Sequence, residues 1–244
     1  MRQLAAIGLS VLLAACGGGD SAAPPTVAAE GFWERRTALG DPVALVILGT
    51  GETWGVHTNS DGSILGALYG KTTSSGTTLS GSGKYVNIQS PTVTTGNYSG
   101  TFVAKSSINV ATFMDNTSSP FLGTYRRKAD DQSASLEAVA GAFVGVGGSG
   151  SSLPILSLTI TSGGSITTVP SFPGCSVSGT AWPHPGGNNI FNVTMKFGGD
   201  LCLLDKVDFP TGIGFYDATT RQVVVMALKA DQSDSFIFVG EKIL

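Results

Sequence analysis

The chain has 244 residues, 34 of them glycine, with 41% hydrophobic and 13% charged side chains and a formal net charge of −3. That length corresponds to one large or two small domains. Mild acidity without a long Lys/Arg block argues against a nucleic-acid partner, and enough Val, Ile, Phe and Leu is present to build a core rather than a disordered chain.

Met1-Arg2-Gln3 carries one positive charge and is followed by an apolar run from Leu4 to Ala15. The run is about a dozen residues long, short of the ~20 that a hydrocarbon core requires, so residues 1–15 form a secretory signal and not a membrane span. It ends in Leu13-Ala14-Ala15-Cys16. This tetrad resembles the lipobox of bacterial lipoproteins at all four positions. The resemblance implies cleavage before Cys16, a diacylglycerol on its thiol and a further acyl chain on the new amino terminus. Two or three chains hold a protein stably on a bilayer, at about 0.8 kcal/mol per buried methylene. The residue after the cysteine is Gly17, not Asp, which in such lipoproteins points to the outer membrane. Residues 16–30, CGGGDSAAPPTVAAE, are too small and proline-bearing to form a core and are expected to be a flexible tether.

The remainder is expected to be all-β: two small antiparallel β-sandwich or β-barrel domains, 31–127 and 132–244, joined by a short linker helix. The first opens on Gly31-Phe32-Trp33 and closes on the aromatic segment Phe121-Leu122-Gly123-Thr124-Tyr125. Ser60-Asp61-Gly62 supplies a hairpin turn between strand-like runs. Tyr125-Arg126-Arg127-Lys128-Ala129-Asp130-Asp131 is the densest charge cluster and is expected to be a solvated linker. Ser133 to Gly141 is the best short-helix candidate, with Ser133 or Ser135 as its cap.

In the second domain, Leu156 to Thr161 and Phe191 to Phe197 alternate apolar and polar residues, the pattern of strands with one face on a core and one in water. Ser162-Gly163-Gly164 is a turn, and Phe215 to Thr220 leading into Gln222 to Val225 is a further hairpin. The halves are faintly alike, which suggests a duplication. Cys175 and Cys202 flank a predicted hairpin whose turn is Pro183 to Asn189. In an oxidising compartment they are expected to form a disulfide, stabilising the fold by roughly 3–4 kcal/mol. A redox or metal pair is disfavoured, because no C-x-x-C spacing is present.

Motifs for chemistry are few. His57 and His184 lie in different halves and are expected to be surface or turn residues; no metal site or cofactor is expected. No G-x-S-x-G occurs. Gly66 to Thr72 imitates a phosphate loop but is one residue short and sits among strands. Asn59 to Gly62 is too short for a calcium loop. Glu34, Glu52, Asp61, Asp205, Asp208 and Asp217 are available carboxylates, but their spacing selects no catalytic pair. Aromatic residues are the better binding material, with Trp54, Tyr69 and Trp182 the candidates for stacking on a sugar or a protein surface.

The expected function is therefore that of a non-enzymatic, lipid-anchored outer-membrane protein. It would contact the membrane through Cys16 and bind a protein or a glycan, or serve envelope structure. The alternative is a lipid-anchored hydrolase acting on glycan or ester bonds. A transmembrane barrel would need no lipid anchor. Beyond the lipobox, the chain resembles the small β-rich lipoproteins of proteobacteria and, more faintly, lipid-anchored surface receptors with two β domains; neither resemblance supplies site residues.

Overall fold

A computed structural model describes residues 27–36, 40–90, 92–114, 117–126, 132–150, 153–169, 175–186, 188–199 and 207–243. The signal segment, Cys16, most of the tether, the charges from Arg127 to Asp131, and Cys202 lie outside these residues.

The chain forms two closed antiparallel barrels of eight strands each. The first contains β1 (Gly31–Arg36), β2 (Pro42–Ile47), β3 (Glu52–Thr58), β4 (Ile64–Ser75), β5 (Thr78–Asn87), β6 (Thr92–Val103), β7 (Ser107–Met114) and β8 (Thr117–Tyr125). Each strand pairs with the next, and β8 returns to β1 through Trp33↔Tyr125 and Glu34↔Thr124. The connecting helix α1 is a single turn, Leu136–Val139, whose N-cap Ser135 accepts a hydrogen bond from the Ala138 N–H at 3.2 Å.

The second barrel contains β9 (Gly141–Ser149), β10 (Ile155–Ile160), β11 (Ser165–Val169), β12 (Ser176–Pro183), β13 (Phe191–Gly198), β14 (Asp208–Asp217), β15 (Gln222–Leu228) and β16 (Ser235–Lys242). It closes through seven residue pairs between β16 and β9, from Phe236↔Ser149 to Lys242↔Phe143. The two expected β domains are thus barrels, an architecture that closes the sheet and leaves no edge for another chain to pair with.

The turns follow from local chemistry. Gly164, in the β10–β11 turn, has φ +82°, and a Cβ there would lie 2.1 Å from the Ala181 carbonyl oxygen, so only glycine fits. In the β3–β4 turn, the Asp61 carboxylate accepts from the Ser63 N–H at 2.8 Å and from its hydroxyl at 2.6 Å.

Alternation predicts the half-buried strands well. In β13, Phe191, Val193, Met195 and Phe197 are buried and the residues between them are not. Strands β14, β15 and β16 differ, being buried on both faces over most of their length. Their inward face joins the core of the second barrel, with Val223, Val225, Phe236 and Phe238. Their outward face packs on the outside of the first barrel: Phe215, Val224, Met226 and Ile237 meet Phe32, Val46, Trp54 and Val56. Phe32 and Phe215 stack edge to face at 5.0 Å across this seam. A strand covered on both sides has no polar face to show, hence the continuous apolar runs VVVMAL and FIFV.

The seam also has a polar clamp. Arg126, directly after β8, bridges Glu34 of β1 at 2.6 Å and hydrogen-bonds the buried carboxylate of Asp217 at the end of β14. The expectation of a solvated linker is therefore corrected at Arg126. A guanidinium with five donors in a planar fork serves two carboxylates at once, which makes it suited to an interface.

Candidate functional site

The inward faces of the two barrels differ. Alternation along the first barrel directs Arg35 of β1, Leu45 of β2, His57 of β3, Leu68 and Gly70 of β4, and Gly83 and Tyr85 of β5 toward the axis. With residues from β6, β7 and β8 they line a cavity of about 530 Å³ bordered by all eight strands. Its wall is predominantly aliphatic and aromatic, and its size lies in the range of about 300–1,000 Å³ typical of small-molecule sites. An eight-stranded barrel has an interior that is either filled by side chains or left to hold one small ligand.

Glycines on the inner wall make the difference. Gly66 and Gly81 leave room for tyrosine rings: a Cβ at Gly66 would lie 2.5 Å from the Tyr85 ring, and one at Gly81 would lie 2.4 Å from Tyr98. Gly70 and Gly83 face each other in register, so this stretch of wall carries no side chain at all.

One end of the lumen is corked. Residues 27–30, expected to belong to the flexible tether, instead pack into the barrel and cross this end: the Val27 N–H donates to Gly49 O at 2.9 Å, and the Ala28 N–H donates to Ser74 Oγ at 2.9 Å. The indole of Trp33 donates to Ala29 O at 3.0 Å, and both residues are fully buried. Toward this end Thr53, Thr72 and Tyr98 bond their hydroxyls to one another, Thr72 to Tyr98 at 2.8 Å.

The lining is more exposed at the opposite end, where Arg35, His57, Tyr85, Thr112, Ser119 and Pro120 stand. His57 Nδ1 and the Tyr85 hydroxyl are hydrogen-bonded at 3.1 Å. The Thr112 hydroxyl donates to Ser119 O at 2.8 Å. The Arg35 guanidinium lies 5.7 Å from the centroid of the Phe121 ring. Burial lowers the His57 pKa below its ordinary 6.5, with Asp41 opposing and Arg35 reinforcing the shift. Burial likewise pushes the Tyr85 phenol up. His57 is thus a neutral lumen residue at neutral pH, which corrects the expectation of a surface or turn position. The signal was its place two residues after Gly55 on a strand whose alternate residues, Trp54 and Val56, face outward.

The three aromatic candidates are not together. Trp54, 1% exposed, stacks edge to face on Tyr69 at 4.8 Å, and both belong to the seam with the second barrel, while Tyr69 also borders the cavity of the first. Trp182, 45% exposed, stands near the end of β12 on the second barrel. His184 bonds Asn192 Oδ1 through Nδ1 at 2.9 Å. Glu34 and Asp217 share Arg126, and Asp208 pairs with Lys196 at 3.6 Å on the surface. Asp205 lies outside the described residues. Among the described residues, no group of three or more His, Cys, Asp or Glu is placed to hold a metal ion. None of their helices is long and apolar enough to cross a membrane.

Cys175 is partly buried against the core of the second barrel. The β12–β13 register runs from Ser176↔Gly198 to Pro183↔Phe191, so Cys175 lies beside the chain leaving β13; its expected partner Cys202 falls outside the described residues.

No family model, curated protein or solved structure matches the chain.

Proposed function

We propose that the chain is an exported, lipid-anchored, non-enzymatic binding protein of the outer membrane. The lumen of its first barrel takes a small apolar molecule, and the second barrel is a solid scaffold. The observation that carries the reading is the 530 Å³ apolar cavity bordered by all eight strands of one barrel. Binding is favoured over hydrolysis because each histidine is engaged by a neutral partner, Tyr85 or Asn192, and not by a serine or a carboxylate. The anchor rests on Leu13-Ala14-Ala15-Cys16.

Uptake of the neutral fluorophore N-phenyl-1-naphthylamine by the purified chain tests the lumen. Fluorescence should rise on binding and fall in Val110→Phe, which fills the cavity; equal uptake by wild type and variant removes the lumen from the proposal. Cys16→Ala should release the protein from the membrane fraction, and retention would end the lipoprotein reading. The Cys175–Cys202 disulfide belongs to the same proposal: intact mass should rise by about 2 Da on reduction.

A second reading, contact with a protein or glycan on the outer surface, is favoured by the exposure of Trp182. Trp182→Ala would abolish such binding and leave fluorophore uptake intact.

A further inference from the structure

We infer that the ligand of the first barrel is uncharged: an elongated apolar molecule with at most a neutral polar end, such as a long-chain alcohol or an isoprenoid, and not a fatty acid. The inference rests on the lumen reading above and adds the chemistry of the occupant.

Three observations carry it. First, among the described residues, the polar side chains of the wall bond to the protein itself except at one atom, His57 Nε2, which is buried without a hydrogen-bond partner. Thr53, Thr72 and Tyr98 close a hydroxyl network, Tyr85 engages His57, and Thr112 donates to the Ser119 carbonyl. A ligand hydroxyl, which can donate or accept, pairs with the neutral His57 ring at Nε2 in either tautomer; a carboxylate can only accept, and burying its charge in an apolar enclosure is costly.

Second, the charges near the more exposed end come in opposite signs. Arg35 and Asp41 both act on His57, in opposite directions. Arg35, which lines the cavity, is already engaged over the Phe121 ring. His57 itself, held neutral by burial, adds no net charge at neutral pH.

Third, the middle of the lumen has no polar reach. The wall between the two ends is formed by Leu45, Leu68, Val110 and Phe121, with the facing glycines Gly70 and Gly83. The affinity available there comes from apolar contact, which any hydrocarbon body satisfies.

The experiment is competition for bound N-phenyl-1-naphthylamine at pH 8, using dodecan-1-ol and dodecanoate, which share a chain and differ in charge. The alcohol should displace the fluorophore at a concentration at least tenfold lower than the carboxylate. Arg35→Gln should leave both midpoints within twofold. Val110→Phe and Leu68→Phe should each suppress uptake of the fluorophore, with circular dichroism establishing that both variants are folded.

Equal or tighter competition by dodecanoate, weakened by Arg35→Gln, would overturn the inference and leave the lumen as a site for fatty acids. Fluorophore uptake that neither filling variant reduces would overturn the lumen reading, and the inference with it.

Discussion

Where the second barrel places Phe143, Phe197, Phe209, Phe236 and Phe238 in its core, the first places Gly55, Gly66, Gly70, Gly81 and Gly83 on its inner wall. Both are eight-stranded meanders closed by their first and last strands. Strand number sets the girth of a barrel, but the volume of its inward side chains decides between a core and a cavity. The closures differ as well: seven residue pairs join β9 to β16, and two join β1 to β8. The hollow barrel thus has the weaker ladder at its join, and it is supported there by the seam and by Arg126. The solid barrel supplies the three doubly buried strands on which the hollow one leans.

This contrast can be broken most forcefully by truncation. Phe238→Ala, at a fully buried position of the second barrel, should lower the free energy of unfolding in urea by about 3–5 kcal/mol. Leu68→Ala, on a wall that already borders a cavity, should cost about 1 kcal/mol, because fewer packed neighbours lose contact. Equal losses would mean that the first barrel is as densely filled as the second.

Enlargement reverses the test. Val225→Phe should cost about 1–3 kcal/mol by overpacking the second core, whereas Val110→Phe should cost less than about 1 kcal/mol, since its ring enters the lumen. Similar urea midpoints for the two variants would contradict a hollow first barrel.

The clamp between the barrels comes next. Arg126→Ala leaves the Asp217 carboxylate, 7% exposed, without its cation and should cost about 1–2 kcal/mol in the same measurement. For Asp217, burial works to raise the pKa, but the Thr219 and Thr220 N–H groups and Arg126 outweigh it, and the net shift is downward from 3.8. A depressed carboxylate stabilises the fold fully above its unfolded value and loses that contribution as pH falls through the folded value. Stability between pH 5 and 2.5 should therefore decline less steeply in Asp217→Asn than in wild type; parallel curves would assign the acid sensitivity to other groups.

The smallest effect belongs to His57. Its depressed pKa means that the folded state favours the neutral ring, so its contribution is complete above 6.5 and erodes as pH falls below that value. A proton-NMR titration of its ring should give a midpoint below 6.5, while His57→Gln should flatten the stability curve slightly between pH 6.5 and 5. A midpoint at or above 6.5 would place the ring in water.

The strands, the hairpins at Gly62 and Gly164, the Ser135 cap and the all-β, two-unit organisation follow from local pattern, because period-2 alternation and positive-φ turns act over a few residues. The lumen was not legible in the same way. Whether Gly66 faces Tyr85, or Gly81 faces Tyr98, depends on how strands register across the sheet, which no single strand records. Glycines recurring at even spacing, as at 66 and 70 or 81 and 83, were the available trace: a face without side chains. Trp54 and Tyr69 stood out as aromatic material, but an outward aromatic residue looks the same in sequence whether it meets solvent, a ligand or another barrel. Arg126 sat in a charged stretch, and its two carboxylate partners lie on strands far away along the chain.

That separation bears on how the molecule assembles. Arg126 follows the eighth strand, yet its partners are on the first strand and at the end of the fourteenth. Loop closure over such distances is slow compared with hairpin formation. Closing the first barrel needs only its own eight strands, whereas completing the clamp also needs the end of β14 in place. The clamp therefore ties the join between β1 and β8 to the folded state of the second barrel, so that opening either barrel locally gives up the contact between Arg126 and Asp217.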